Sequence, residues 1–370
     1  MPGLFIQRQA EAITPFCDVA VIYIHPDPEC PNKYEVDFAE ENEVRVLRVY
    51  YLTAEKGAGL LGTITGLFRF YRATMKAVDS IKGFNPEVVH AHVLTRMGFM
   101  AWRIGRKLNI PYVISEHWSR YFPANNTYRG LLRKLVTRFV TGRAAAVLPV
   151  SVELKSAMLQ AGLLNKNYRV IPNLVDQSGF RLTKIPAETK KTLLHISCFE
   201  DKSKNISGLL LAIQKLATRR TDFICRLVGD GPDFDKLKQF AESLGLKEPL
   251  LEFTGLKLDD ELVTVFSQAD FLVVSSRYET FGTVIVESLS CGLPVVSTSV
   301  GIAPEIIDSR NGMIVPAGDE NALMETIDRM LDQCRHYSRE EVRSTIAGKF
   351  DKEKVGEMIS NVYSQVLRKS

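Results

Sequence analysis

At 370 residues the chain exceeds what one ordinary hydrophobic core supports and suits two domains of roughly 150 to 200 residues each. Hydrophobic residues make up 45% and charged residues 24%, the balance of a globular protein, and a formal net charge of +4 does not by itself imply a nucleic-acid partner. No apolar run reaches the ~18 residues of a membrane span, no charged-then-apolar leader opens the chain, and the six cysteines show no metal spacing, so they read as reduced, buried thiols of a cytoplasmic protein.

Residues 1–12 predict a helix beginning near Leu4, followed by a strand at 19–24. Doubly wound domains usually open on a strand, so either this domain lacks its first strand or the true start lies upstream of Met1, and the second is the expectation. A further strand is expected at 44–50, then a long helix over 60–81 that carries Arg69, Arg72 and Lys76 on one face beside Leu67, Phe68, Phe70 and Tyr71. Five basic residues interleave with apolar ones again at 129–143. Such faces are either solvated helix surfaces over a core stripe or surfaces that rest on an anionic membrane.

Residues 86–93 predict a strand and loop, 97–108 a helix, and 111–115 a strand whose end carries His117. This alternation is that of a parallel α/β sheet, in which ligands gather at the carboxyl ends of strands. His90 and His92 stand at another strand end, whereas His25, His195 and His336 read as satisfied polar groups. A buried strand at 144–150, a helix at 151–161 and an extended stretch at 168–172 lead into a polar linker at 177–191.

The second half repeats the alternation: a strand at 192–197, a loop, and a helix at 206–217; then a strand at 223–228 turned by Gly229, Asp230, Gly231 and Pro232 into a helix at 234–244. A strand at 250–255 and a helix at 259–268 follow. Residues 271–274 are an apolar run typical of a parallel strand covered on both faces. A helix over 283–290 is stopped by Gly292 and Pro294, and helices over 320–334 and 353–368 close the chain.

The stretch 271–300 carries the most chemistry. Glu279 lies on the loop before the helix and Glu287 about one turn inside it. The unpaired N–H groups around Gly282, Thr283 and Val284 suit a phosphate, and at ~1.5 Å of rise per residue Glu287 lies only ~6 Å beyond that end. Two carboxylates flanking an anion seat point to hydroxyl groups on either side of a phosphate, as in a nucleotide sugar.

The same stretch, with Glu279 and Glu287 separated by seven residues, a Ser-Arg-Tyr-Glu-Thr-Phe-Gly context and a Cys-Gly-Leu-Pro-Val-Val ending, resembles the motif of the family 4 retaining glycosyltransferases. The segment 173–176, Asn-Leu-Val-Asp, and the turns at 300–305 and 311–312 are similar to other elements of that family. The resemblance implies α/β architecture with two Rossmann-like domains facing a central cleft (GT-B). Residues 1–177 would bind the acceptor, 178–348 the nucleotide sugar, and 349–370 would form a helix crossing back to the first domain. It implies that Glu287 accepts hydrogen bonds from the ribose and Glu279 holds the transferred sugar, with Phe281, Gly282 and Thr283 alongside the donor. His117 would face the sugar, Gly229 and Gly231 would line the nucleotide pocket through their backbone, and Lys204 would grip the diphosphate. The family pairs that lysine with an arginine, whose place is taken here by Cys198 or a neighbour; Lys202 is the candidate substitute, although a lysine cannot reproduce the guanidinium fork.

The function expected on these grounds is retaining, metal-independent transfer of a sugar from a nucleoside diphosphate sugar to an acceptor hydroxyl, with no cofactor, in a bacterial cell. The acceptor would be a saccharide or lipid-linked saccharide at the inner membrane face, in polysaccharide or lipopolysaccharide assembly. The alternatives are a nucleotide-sugar epimerase or phosphorylase on the same scaffold, a non-catalytic sugar-nucleotide-binding protein, and a glycosidase using the two glutamates as acid and nucleophile.

Overall fold

The computed structural model describes residues 4–30, 32, 34–52, 59–81, 83–177, 179–182 and 190–368. The first half runs α1 (Leu4–Ile13), β1 (Ala20–Asp27), β2 (Tyr34–Glu41), β3 (Val44–Leu52), α2 (Gly59–Ser80), β4 (Val89–His92), α3 (Phe99–Leu108), β5 (Tyr112–Glu116), α4 (Leu131–Arg143), β6 (Ala146–Pro149) and α5 (Val152–Gln160). Its strands form two three-stranded sheets, β1-β3-β2 and β4-β5-β6. β4, β5 and β6 are parallel, and all of Tyr112–Glu116 and Ala146–Pro149 is buried, as apolar strands covered on both faces must be.

The strand β2 was not expected from the sequence. It pairs antiparallel with β3 through a two-residue turn in which Asn42 and Glu43 take left-handed conformations (φ 48° and 67°). Its side chains are mostly exposed, so an acid-rich run with Glu35, Asp37, Glu40 and Glu41 shows little of the apolar alternation that marks a strand. Arg48 on β3 answers that charge, meeting Asp37 at 3.6 Å and Glu41 at 2.5 Å.

The second half holds β7 (Lys191–Ile196), the one-turn α6 (Asp201–Lys204), α7 (Ile206–Ala217), β8 (Phe223–Val228), α8 (Phe234–Ser243), β9 (Leu251–Phe253), α9 (Asp259–Ser267), β10 (Phe271–Val274), α10 (Thr283–Ser290), β11 (Val295–Thr298), α11 (Ala303–Ile306), β12 (Gly312–Val315), α12 (Glu320–Gln333), α13 (Arg339–Ser344) and α14 (Lys352–Leu367). The six strands pair in parallel in the order β12-β11-β10-β7-β8-β9. The chain leaves β7 toward β8 and β9, then returns to lay β10 on the other side of β7. The crevice beyond the carboxyl ends of β7 and β10 is therefore the topological switch point, where open α/β sheets bind ligands.

The last helix packs on the first half: Val355, Ile359, Val362 and Val366 of α14 share a buried cluster with Ala12, Ile13, Val113, Ala146 and Leu148. Of the expected linker, residues 178 and 183–189 lie outside the described residues. The cysteines depart from expectation in part: Cys30, Cys225, Cys291 and Cys334 are buried, whereas Cys17 and Cys198 are exposed.

Candidate active site

A pocket of about 410 Å³ opens between the two halves. From the first half come the loop residues His117, Trp118 and Arg120; from the second come Cys198, Ser203, Lys204, Tyr278 and Glu279. Sequence-distant residues meet here because the loops after β5, β7 and β10 all leave the carboxyl ends of parallel strands.

The centre of the pocket is an ion pair. Lys204 ends α6, and its Nζ lies 2.5 Å from Oε1 of Glu279, which also accepts from Ser276 Oγ at 2.8 Å. Both side chains are mostly shielded, 17% and 13% exposed. Burial pushes the Lys204 ammonium down, but the Glu279 carboxylate beside it more than offsets this and holds it above the ordinary lysine range. Ser275 Oγ donates to the Lys204 carbonyl at 2.8 Å, tying the two loops together from below.

The opposite wall is organised by Glu116, which the sequence did not mark. Its fully buried carboxylate accepts from the backbone N–H groups of Leu94 (3.0 Å), His117 (2.8 Å) and Trp118 (2.9 Å) and from the Tyr121 hydroxyl (2.8 Å). Burial raises its pKa, and these donors pull it partly back. One side chain thus fixes the path of residues 117–121.

His117 reaches the pocket as expected, but both of its ring nitrogens are engaged: Nδ1 with Asn173 Oδ1 at 3.2 Å and Nε2 with His92 Nδ1 at 3.3 Å. Phe5 of α1 lies against the ring with centroids 4.5 Å apart. Burial, with His92 adding to it, lowers the His117 pKa to about 3. The imidazole is neutral and oriented, which suits positioning a ligand rather than carrying a proton. His90 extends the chain to α14, meeting Ser115 Oγ at 2.8 Å and the Tyr363 hydroxyl at 2.6 Å. His195 is the satisfied polar group expected, with Val273 O at 3.0 Å and Ser197 Oγ at 2.9 Å.

Several expected contacts fall elsewhere. Lys202, the candidate substitute for the arginine, is not among the residues lining the pocket: its Nζ donates to the Asn125 carbonyl at 2.8 Å and ties the two halves together. Gly229 and Gly231 offer no free N–H, since Gly229 donates to the Gly255 carbonyl at 2.9 Å and Gly231 to Asp230 Oδ1 at 2.7 Å. Both positions require glycine because a Cβ would come 1.9 Å from the Ser197 carbonyl oxygen or 2.6 Å from the Phe199 nitrogen. Phe281 is a core residue, 1% exposed, with its ring edge-on to Phe350, so it presents no side chain to a ligand.

Gly282 opens α10 in a left-handed conformation (φ 90°), and the N–H groups of Thr283 and Val284 meet no protein acceptor among the described residues. Glu287 does not line the pocket with Glu279. It sits inside α10, where burial pushes its carboxyl up to about 7 and Arg8 of α1 pulls it partly back.

The halves are also joined beside Glu279. Ser151 Oγ caps α5 and donates to the Thr280 carbonyl at 2.7 Å, Glu153 accepts from the Gly301 N–H, and Glu305 Oε1 accepts from the Val152 N–H at 2.8 Å. Sequence reading missed Trp118, Arg120 and Glu116; the only signal was their place beside His117 at the carboxyl end of β5.

The basic face expected on α2 is turned partly inward: Arg69 Nη1 donates to the Leu52 carbonyl at 2.9 Å and Lys76 lies over the Tyr34 ring at 4.8 Å. On α4, by contrast, Leu131, Leu132 and Leu135 are 76%, 75% and 56% exposed among Arg129, Arg133, Lys134 and Arg138. No described helix is long and apolar enough to cross a membrane.

Comparison with known proteins accords with this architecture. Residues 2–174 match the profile of the glycosyl transferase 4-like domain, and residues 181–345 that of the glycosyl transferases group 1. The chain is 28% identical over 215 residues to an N-acetyl-alpha-D-glucosaminyl L-malate synthase of Bacillus anthracis, a match that takes in 55% of each chain. The chain thus spans about half the length of that curated relative. A sucrose-phosphate synthase from Thermosynechococcus elongatus superposes with a TM-score of 0.80 at 21% identity, covering 100% of this chain and 94% of that one. The Anabaena protein HepE, solved in complex with UDP and glucose, superposes with a TM-score of 0.72 at 20% identity over 98% and 96% of the two chains.

Proposed function

From the premise that this chain belongs to the group 1 glycosyltransferases of family 4, we propose that it moves a sugar from a nucleoside diphosphate sugar to an acceptor hydroxyl with retention and without a metal ion. The observation that carries this reading is the Lys204–Glu279 pair at the switch point, beside a helix whose first N–H groups lack protein acceptors among the described residues. Lys204 would meet the diphosphate, the α10 N-terminus would share its charge, Glu279 would accept hydrogen bonds from the sugar, and Glu287 would hold the ribose.

In the step proposed, the bond from the anomeric carbon to the leaving phosphate oxygen breaks with its electron pair going to that oxygen. The acceptor oxygen bonds the anomeric carbon on the same face, and its proton passes to the leaving phosphate. Charge therefore grows on the phosphate, which Lys204 would meet, and no carboxylate nucleophile is needed. Neutral His117 would orient the sugar or acceptor, and the ties across the cleft at Lys202, Ser151 and Glu153 would exclude water.

The exposed leucines of α4 among basic side chains support an acceptor at an anionic membrane surface, as in lipid-linked polysaccharide or lipopolysaccharide assembly, with the protein cytoplasmic and peripheral. The donor side is tested by thermal shift against uridine, guanosine and adenosine diphosphate sugars, followed by assay of nucleoside diphosphate release. A ligand at a hundred times its Kd stabilises the native state by about 2.7 kcal/mol. A donor that raises the melting temperature in wild type and much less in Glu287→Ala is the expected result. A panel with no shift and no release of nucleoside diphosphate would overturn the proposal.

A further inference from the structure

Arg120 has a chemistry that the donor side does not use. Its guanidinium lies over the Trp118 ring, 3.8 Å from the centroid, and lines the pocket opposite Lys204 and Glu279. Arg120 makes no ion pair among the described residues, and its Nε is buried without a hydrogen-bond partner. Nη1 has one long contact, to Thr95 Oγ1 at 3.3 Å. The carboxylate of Glu116 is already taken by four donors and does not answer it. Structural arginines normally end on carboxylates or carbonyls, because an unpaired buried donor is costly.

The two cations of the pocket are thus in different states. Lys204 is paired with Glu279, whereas Arg120 is held flat by an indole and left open. Stacking fixes the plane of the fork and leaves its edge for a planar or tetrahedral oxyanion, the geometry in which arginine binds phosphate and carboxylate with two parallel bonds. Trp118, Ser119, Arg120, Asn125 and Thr127 all belong to the first half, facing the donor elements across the pocket.

Building on the proposed transferase reading, we propose that Arg120, stacked on Trp118, forms an anion subsite for the acceptor, so that the preferred acceptor is a saccharide bearing a phosphate or carboxylate group near the hydroxyl that is glycosylated. Phosphate and carboxylate share the oxyanion chemistry, and the probes below distinguish them.

The test is binding of glucose 6-phosphate, glucuronate and glucose to the full chain by calorimetry, with and without saturating UDP, in wild type, Arg120→Gln and Arg120→Lys. At least one anionic sugar is expected to bind about tenfold or more tightly than glucose, the size of a charge-assisted hydrogen bond. Arg120→Gln should abolish that advantage. Arg120→Lys should keep part of it, because charge is retained and the fork is lost, and it serves should the glutamine variant fail to fold. A preference for glucose 6-phosphate identifies phosphate as the group, and one for glucuronate identifies carboxylate. Equal binding of all three sugars, no binding by any, or a preference that survives in Arg120→Gln would overturn the subsite. So would a loss of UDP affinity in Arg120→Gln as large as the loss for the anionic sugar, since that would put Arg120 on the donor. Failure of UDP itself to bind wild type counts against the donor reading and leaves the comparison of sugars without UDP to judge Arg120.

Discussion

Replacing Glu279 by glutamine should weaken the fold, tighten nucleotide binding and slow transfer together. At 2.5 Å in a medium of effective dielectric ~20, the gross Coulomb attraction of Lys204 and Glu279 is about 7 kcal/mol. Much of this is offset by the several kcal/mol needed to desolvate each ion, so the net worth of the pair is small. Breaking it is another matter, because Lys204 stays mostly buried with its charge unanswered. Removing one partner of a buried pair costs about 3 to 5 kcal/mol, and since both side chains keep some exposure the lower end, about 3 kcal/mol, applies.

At roughly 2 °C per kcal/mol the Glu279→Gln melting temperature should fall by about 6 °C. The double variant Glu279→Gln/Lys204→Met should recover at least ~1 kcal/mol of the summed single losses, because contacting charges are not additive. Free UDP should bind the single variant more tightly than wild type, since Lys204 no longer has a competing carboxylate, while turnover falls with the loss of the acceptor for the sugar hydroxyls. Calorimetric titration of UDP and scanning calorimetry read these effects. Additive single losses together with unchanged UDP affinity would refute the reasoning, because the pair would then be neither coupled nor in competition with the diphosphate.

Glu287 makes stability depend on pH in a defined direction. Its folded pKa is raised from 4.5 to about 7 by burial, so the neutral form is favoured by the fold. That stabilisation is complete below about pH 4.5 and is lost as pH rises through 7, up to about 3 kcal/mol. Glu287→Gln should therefore melt above wild type at pH 8, match it near pH 5, and bind donor more weakly at both; a difference in melting temperature that is flat with pH would contradict this assignment. For the membrane surface, Leu131, Leu132 and Leu135 changed together to serine should reduce cosedimentation with phosphatidylglycerol-rich vesicles by at least about tenfold, given ~1.5 kcal/mol or more per buried leucine. A triple variant that binds as wild type would remove α4 from the membrane, and wild type that binds neutral phosphatidylcholine vesicles as well as anionic ones would remove the preference for an anionic surface.

The amino-acid sequence alone determined where the elements lie and which stretch carries the chemistry. Apolar runs such as 271–274 and breakers such as Gly292 and Pro294 act within about ten residues, so β10 and α10 were legible without any tertiary knowledge. The same locality hid β2, whose acidic, mostly exposed side chains leave no apolar period to read. Which residues meet was decided by strand order. Laying β10 beside β7 brings Glu279 to Lys204 across 75 residues, and joining the loops after β5 and β10 around one pocket sets Arg120 opposite that pair. Tertiary contacts also reassigned residues whose type had looked functional. Lys202 is drawn to the Asn125 carbonyl, and Gly229 is a glycine because Ser197 passes too close for a Cβ. Propensity and periodicity are properties of neighbours in sequence; hydrogen-bond saturation, desolvation and charge pairing are properties of neighbours in space, and only the folded chain supplies those.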